Sequence, residues 1–332
     1  MCSHAPSRRR RGRYGRVRVS PVATVQSYIL ETSDGHRVYY EAFGNPLGVP
    51  IVYLHGGPGS GASVNQRRLF DPDLFHVVMV DQRGSGRSRP LASEPDAVAA
   101  TNTTQLLIED LEAIRESLGF EDWLLAGFSW GTTLALAYAQ AHPSRCRGLL
   151  AALVTTTSAD EVRWITRDVG AIFPREYERF VTFIPEHLRD RPNVDAYAEM
   201  LWGDDASLEA DAAVEWCRWE DAHVSLAPGH VSNARFEDPE FQLRFARLVT
   251  HYWRHAAFLG ENELLRNASV LDGKPITLIH GRFDVSSPLA TAWSLHRSIS
   301  SSELIVLEES GHGDGDDFMP TVLGALQRLG RR

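Results

Sequence analysis

The chain has 332 residues, 43% hydrophobic and 23% charged, enough for one large α/β core with an insertion. Its formal net charge of −9 argues against nucleic acid or an anionic membrane surface as the main partner. Three cysteines (Cys2, Cys146 and Cys217) without C-x-x-C spacing argue against a disulfide framework or a zinc site, and fit a reducing, cytoplasmic compartment.

Residues 1–24 read as a basic, disordered tail. Arg8, Arg9, Arg10, Arg11, Arg13, Arg16 and Arg18 fall there without a single acid, and self-repelling charge cannot build a core. No apolar run follows, so a secretory signal is not expected. No stretch of the chain is apolar long enough to span a membrane.

Residues 28–43 are expected to form an antiparallel pair turned at Ser33-Asp34-Gly35. Ile51-Val52-Tyr53-Leu54 is a short apolar run ending in glycines, and Val77-Val78-Met79-Val80 runs into Asp81-Gln82-Arg83-Gly84. Leu107, Leu111, Ile114 and Leu118 stand at helical spacing, with Gly119 as the C-cap. Leu124-Leu125-Ala126, residues 149–154, Ile276-Thr277-Leu278-Ile279 and Leu304-Ile305-Val306-Leu307 are further buried strands. Apolar strands alternating with helices predict an α/β fold, a mostly parallel central sheet flanked by helices.

The alternation stops over residues 157–262. That stretch is helical in character, holds five of the eight tryptophans and sets 11 arginines against 20 acids. It is expected to be a helical cap inserted between two strands, with the core supplied by residues 25–156 and 263–332.

Gly127-Phe128-Ser129-Trp130-Gly131 fits G-x-S-x-G, with an apolar strand before it and a helix-forming run after it. That context is what a nucleophile elbow requires, since it lifts the serine above the sheet on a strained turn. A serine hydroxyl needs a base, an orienting acid and oxyanion donors. The chain order Ser, acid, His then selects Asp284, in the loop after one strand, and His312, in the loop after the next. Asp314 and Asp316 are the rivals for the acid. The oxyanion donors are expected to be the Trp130 N–H and a glycine of His55-Gly56-Gly57-Pro58-Gly59, Gly57 before Gly56. His55 is expected to order that loop. The run from Asp81 to Ser88 is read as a turn held by hydrogen bonds of Arg83 and Asp81. No metal ligand set and no cofactor motif is present.

Taken together, "HGGPGSG" at 55–61, "DQRGSGRS" at 81–88, "SWGTTLALAYAQAHP" at 129–143, "HGRFDVSSP" at 280–288 and "SGHG" at 310–313 resemble the proline iminopeptidases. These are serine peptidases of the α/β-hydrolase superfamily, and the likeness runs from about Tyr28 to the C-terminus. It implies a Ser129–Asp284–His312 triad, an oxyanion hole at Gly57 and Trp130, and release of an N-terminal proline beneath a helical cap. It also implies that Glu220, in Trp216-Cys217-Arg218-Trp219-Glu220, binds the free amine of a small peptide or amide substrate, with Trp253 in the binding site. Val249 stands where the family's second glutamate is expected, and Thr155 or a neighbour where it has an aromatic. The alternative function is an amidase or esterase of the same fold acting on a small metabolite.

Overall fold

The computed structural model describes residues 24–332 apart from 95, 96, 98 and 228, so the basic tail and Cys2 lie outside the described residues. Eight strands form one sheet in the order β1-β2-β4-β3-β5-β6-β7-β8. β1 (Gln26–Glu31) and β2 (Arg37–Gly44) are the antiparallel pair, turned at residues 33–35, and β2 runs antiparallel to β4 (Phe75–Val80). The remaining strands are parallel: β3 (Val49–Leu54), β4, β5 (Trp123–Phe128), β6 (Cys146–Ala152), β7 (Ile276–Gly281) and β8 (Ser302–Leu307).

The central strands read as unbroken apolar runs because both faces are covered. Side chains alternate between the faces as the pleat demands. Val52, Leu54, Val78, Val80 and Leu125 pack with α1 (Thr104–Ser117), α2 (Trp130–Ala141) and α9 (Leu289–Ser298). Ile51, Tyr53, Val77, Met79 and Leu124 face the other way, against α10 (Phe318–Gly330). The α1 start is fixed by Thr103, whose side chain accepts from the Leu106 N–H, and its end by Gly119 at φ +72°.

One strand is shorter than the sequence suggests. β6 stops at Ala152, two residues before the apolar run ends. Leu153 takes φ +60° and the Val154 N–H turns to the His280 ring, 3.0 Å away, so the chain leaves the sheet there.

Among the described residues six α-helices lie between β6 and β7: α3 (Ala159–Thr166), α4 (Pro174–Thr182), α5 (Asn193–Leu201), α6 (Ala206–His223), α7 (Pro239–Arg254) and α8 (Glu263–Arg266). A capping box at Ser158 and Glu161 starts α3, and Asp238 followed by Pro239 starts α7. α4 to α7 share an apolar core of their own. Phe180 stacks on Tyr197 at 4.4 Å and on Trp219 at 5.1 Å, with Trp216 buried beside them. The layer is tied to the sheet's upper edge by the Trp164 indole to the Val285 carbonyl (2.7 Å) and by Arg247 to the Ala92 carbonyl (2.9 Å). Among the described residues no helix is long and apolar enough to cross a membrane.

The strand register decides where chemistry can occur. Leu54 pairs with both Val80 and Gly127, Phe128 with Ala152, Ala152 with Ile279, and Gly281 with Leu307. The carboxyl ends of the parallel strands are therefore level, and the loops leaving them open on one edge, where ligands bind in α/β sheets.

Candidate active site

Ser129 sits at φ 53°, ψ −125°, between the last residue of β5 and the first of α2. Such a conformation costs a non-glycine residue about 1–3 kcal/mol and persists only where its surroundings enforce it. The two glycines of the motif are what allow it. A Cβ on Gly131 would overlap the Leu54 carbonyl oxygen, and one on Gly127 would overlap the Gly131 carbonyl oxygen. The turn can close this tightly only with hydrogen at both positions.

His312 reaches the serine from the loop after β8, its Nε2 lying 3.0 Å from Ser129 Oγ. Its Nδ1 lies 2.7 Å from Asp284 Oδ2, in the loop after β7. Asp284 Oδ1 in turn accepts the Ser287 N–H at 3.1 Å. Nδ1–H is thus the donor toward Asp284, which leaves Nε2 free to take a proton from the serine. Burial opposes charge on both groups, yet each offsets it for the other. The pKa of His312 is raised above the ordinary histidine value by Asp284, with Glu220 adding to the effect, and that of Asp284 is lowered by His312. The rival acid Asp314 is engaged elsewhere, accepting from the Gly311 N–H at 2.6 Å and contacting His230 at 3.2 Å.

Trp130 is the first residue of α2, so its N–H has no carbonyl within the helix to bond. Gly57, at φ +116°, lines the same cleft. A Cβ there would come within 2.6 Å of the Gly59 nitrogen, and one on Gly56 would stand 3.1 Å from Ser129 Cβ, which measures how closely this loop approaches the nucleophile.

The loop is held from below. His55 is buried, with Nδ1 on the Gly56 carbonyl (2.9 Å) and Nε2 accepting the Gln82 N–H (3.1 Å). The Gln82 side chain accepts from the Trp130 indole at 2.8 Å. Asp81 accepts the Ala62 N–H (2.7 Å) and Arg87 Nε (2.7 Å), while Arg83 forms a two-pronged pair with Asp110 (2.6 and 2.8 Å) and reaches Asp34 (2.6 Å). Asp81 and Gln82 therefore buttress the glycine loop, while Arg83 ties residues 81–88 to α1 and to the β1–β2 turn.

Above Ser129 lies a cleft, open to solvent, whose lining includes Gly57, Ser129, Trp130, His312, Glu220 and Trp253. Glu220 comes from α6. It is buried, and its Oε1 makes no hydrogen bond. Burial pushes its pKa up to about 7, against the opposing influence of His312. One turn on, His223 Nε2 faces Glu220 Oε2 at 4.0 Å. The Ser286 hydroxyl donates to the His223 carbonyl (3.2 Å), so its 3.1 Å contact with His223 Nδ1 has the ring as donor. Nε2 is then an acceptor, and burial holds the ring neutral, with a pKa lowered to about 3. His223 therefore offers Glu220 no hydrogen to bond.

Thr155 also lines the cleft, whereas Val249 does not: it is packed in the core of the helical layer. Glu215 pairs with Arg179 and Arg218, and Glu161, which does line the cleft, is occupied by Thr156 (2.6 Å) and Thr291 (2.8 Å). Three residues here escaped the sequence reading. His223 carried a signal, the i+3 spacing from Glu220 that puts both on one helix face. Arg235 and Phe245, both lining the cleft, carried none, because nothing in a loop or a buried helix face reveals which residues turn toward a cavity.

Residues 49–317 match the family described as alpha/beta hydrolase fold. The chain is 43% identical over 307 residues to the probable proline iminopeptidase of Streptomyces coelicolor, covering 91% of this chain and 94% of that one. It is 38% identical over 299 residues to the proline iminopeptidase of Arabidopsis thaliana, covering 90% of this chain and 77% of that one. The crystal structure of a Mycobacterium smegmatis proline iminopeptidase superposes with a TM-score of 0.63 over 92% of this chain and 99% of the other. Its 21% identity makes that a likeness of fold alone. With identity of this order along nearly its whole length, the chain belongs to the proline iminopeptidase family of α/β-hydrolases.

Proposed function

We propose that the protein is a serine aminopeptidase that releases an N-terminal proline, or a similar small residue, from small peptides. The observation that carries this is one cleft onto which open both the Ser129–His312–Asp284 chain and the buried Glu220 carboxylate, whose Oε1 makes no hydrogen bond. In this scheme residues 157–262 act as the cap, and the substrate ammonium meets Glu220. The ring lies against Trp253 and Phe245. Ser129 attacks the carbonyl as His312 takes its proton, and the oxyanion is held by the Gly57 and Trp130 N–H groups. His312 then protonates the leaving amine, and water, activated by the same ring, frees the acyl-enzyme.

A second reading, an amidase or esterase acting on a small metabolite without a free amine, is favoured by one feature. Among the described residues two carboxylates line the cleft, and Glu161 is bonded to protein donors, which leaves Glu220 alone to meet an ammonium. The test is a release assay on proline β-naphthylamide, its N-acetyl form and a short-chain p-nitrophenyl ester. For the aminopeptidase, only the free-amine substrate is turned over. Ser129→Ala removes the activity, and Glu220→Gln raises KM for the free amine by roughly tenfold or more, the scale of a lost charged hydrogen bond. Ester turnover indifferent to a free amine would establish the second reading instead.

A further inference from the structure

The proposed reaction leaves one charge at the cleft unused. Arg235 stands at the rim, on the short helical turn Ala234–Glu237 that leads into α7. Three aromatic rings hold its guanidinium, Phe236 and Phe241 with centroids at 5.1 Å and Phe245 at 6.0 Å, within the range of cation–π attraction. Nη1 donates one long hydrogen bond, 3.3 Å, to Ser60 Oγ on the glycine loop. Among the described residues Arg235 makes no ion pair within 4 Å, although Glu220 acts on it at longer range. Arg218, Arg244 and Arg247, on the helices beside it, pair with Glu215, Glu240 and Glu209. A guanidinium has five N–H donors in a fixed fork. This one is fixed in place with most of them unmatched, facing the space that the substrate must enter.

The matching partner for such a fork is a carboxylate. A peptide carries its carboxylate at the end opposite its amine, so once the amine is at Glu220 the carboxylate belongs to the fragment that leaves. We infer that Arg235 forms a carboxylate subsite for the leaving residue, resting on the aminopeptidase assignment above, and that it makes the enzyme selective for proline-headed dipeptides. Each residue extends a chain by about 3.5 Å. Arg235 lines the same cleft as Ser129 and Glu220. The free carboxylate of a dipeptide falls inside it, and that of a longer peptide falls outside. The reactions that supply the substrate are then those of peptidases cutting larger chains to short fragments.

A purely structural role is the rival, in which the bond to Ser60 closes the helical layer onto the glycine loop. That role acts on every substrate alike. The test is therefore kcat/KM for Pro-Gly, Pro-Gly-amide and proline p-nitroanilide, in the natural enzyme and in Arg235→Gln. The expected result is a preference of about tenfold, or about 1.4 kcal/mol, for Pro-Gly over its amide. In Arg235→Gln that preference falls to about one through a rise in KM for Pro-Gly, with the amide and the anilide changed by less than about twofold. A ratio near one in the natural enzyme, a ratio that survives the substitution, or an equal loss on all three substrates overturns the subsite, and cleavage of the amide then leaves the aminopeptidase assignment standing. If the natural enzyme cleaves none of the three, that assignment falls and the subsite falls with it.

Discussion

Two titrating groups of the site, His312 and Glu220, carry raised pKa values, that of His312 through Asp284 against the effect of burial and that of Glu220, at about 7, through burial. The sign follows for each. His312 acts as base only when neutral, and its pKa is raised, so the competent fraction is lost as pH falls through that raised value. Glu220 attracts an ammonium only when ionised, and it loses that charge as pH falls through about 7. Because the two interact, they titrate as a pair. For a free-amine proline substrate, log kcat/KM is expected to fall with a limiting slope approaching two on the acid side. An N-acyl or ester substrate, which needs only His312, is expected to show a slope of one. Glu220→Gln should convert the first profile into the second. A profile flat down to pH 4 would contradict the role given to His312. At this scale the sequence was informative wherever chemistry constrains residue type: Ser129, Asp284 and His312 could be placed by order and loop position. Glu220 was visible only through the resemblance, and Arg235 not at all, since an arginine in a polar loop looks the same whether it faces solvent or a cleft.

Between β5 and α2 a strand and a helix are joined with no spare residue, and the helix's close seat on the Leu54 carbonyl fixes the elbow. Gly131→Ala must push the start of α2 away from β3, and its Cβ meets backbone, which cannot swing aside. The expected cost is about 1–3 kcal/mol, the usual penalty of overpacking, read from urea unfolding. Activity should fall further than stability does, because the same shift moves Ser129 Oγ and the Trp130 N–H relative to His312. A Gly131→Ala enzyme with unchanged kcat would mean that the elbow has slack the structure does not show. Elements with one strong local period were legible from sequence, as α1 was from its leucines and Gly119. The end of β6 was not. Val154 is as apolar as the strand it follows, and only the His280 ring, 126 positions away, draws its N–H out of the ladder.

Across the whole molecule the arrangement is one of level strand ends. The alternating strands and helices were legible because each strand is buried on both faces and must be apolar along its length. The helical character of the stretch between β6 and β7 was legible too. Which faces of α6 and α7 look into the cleft was not, because Trp216, Trp219 and Val249 are as apolar as Phe245 and Trp253, yet the first three serve the layer's own core. Only the packing of one helix on another separates the two sets.

The level strand ends also bear on when the molecule becomes active. In the proposed mechanism the working atoms come from Gly57, Ser129, Glu220, Asp284 and His312, which span residues 57 to 312, and the proposed base is the last of them to be synthesised. A chain emerging from the ribosome carries its nucleophile for more than half of its synthesis without the ring that arms it, and an unarmed serine hydroxyl does not attack amides. On that mechanism the chain stays silent until β8 closes the sheet. In refolding from urea, turnover should return no earlier than the slowest phase of tryptophan burial, and activity appearing ahead of that phase would show that the sheet can assemble its site before its edge.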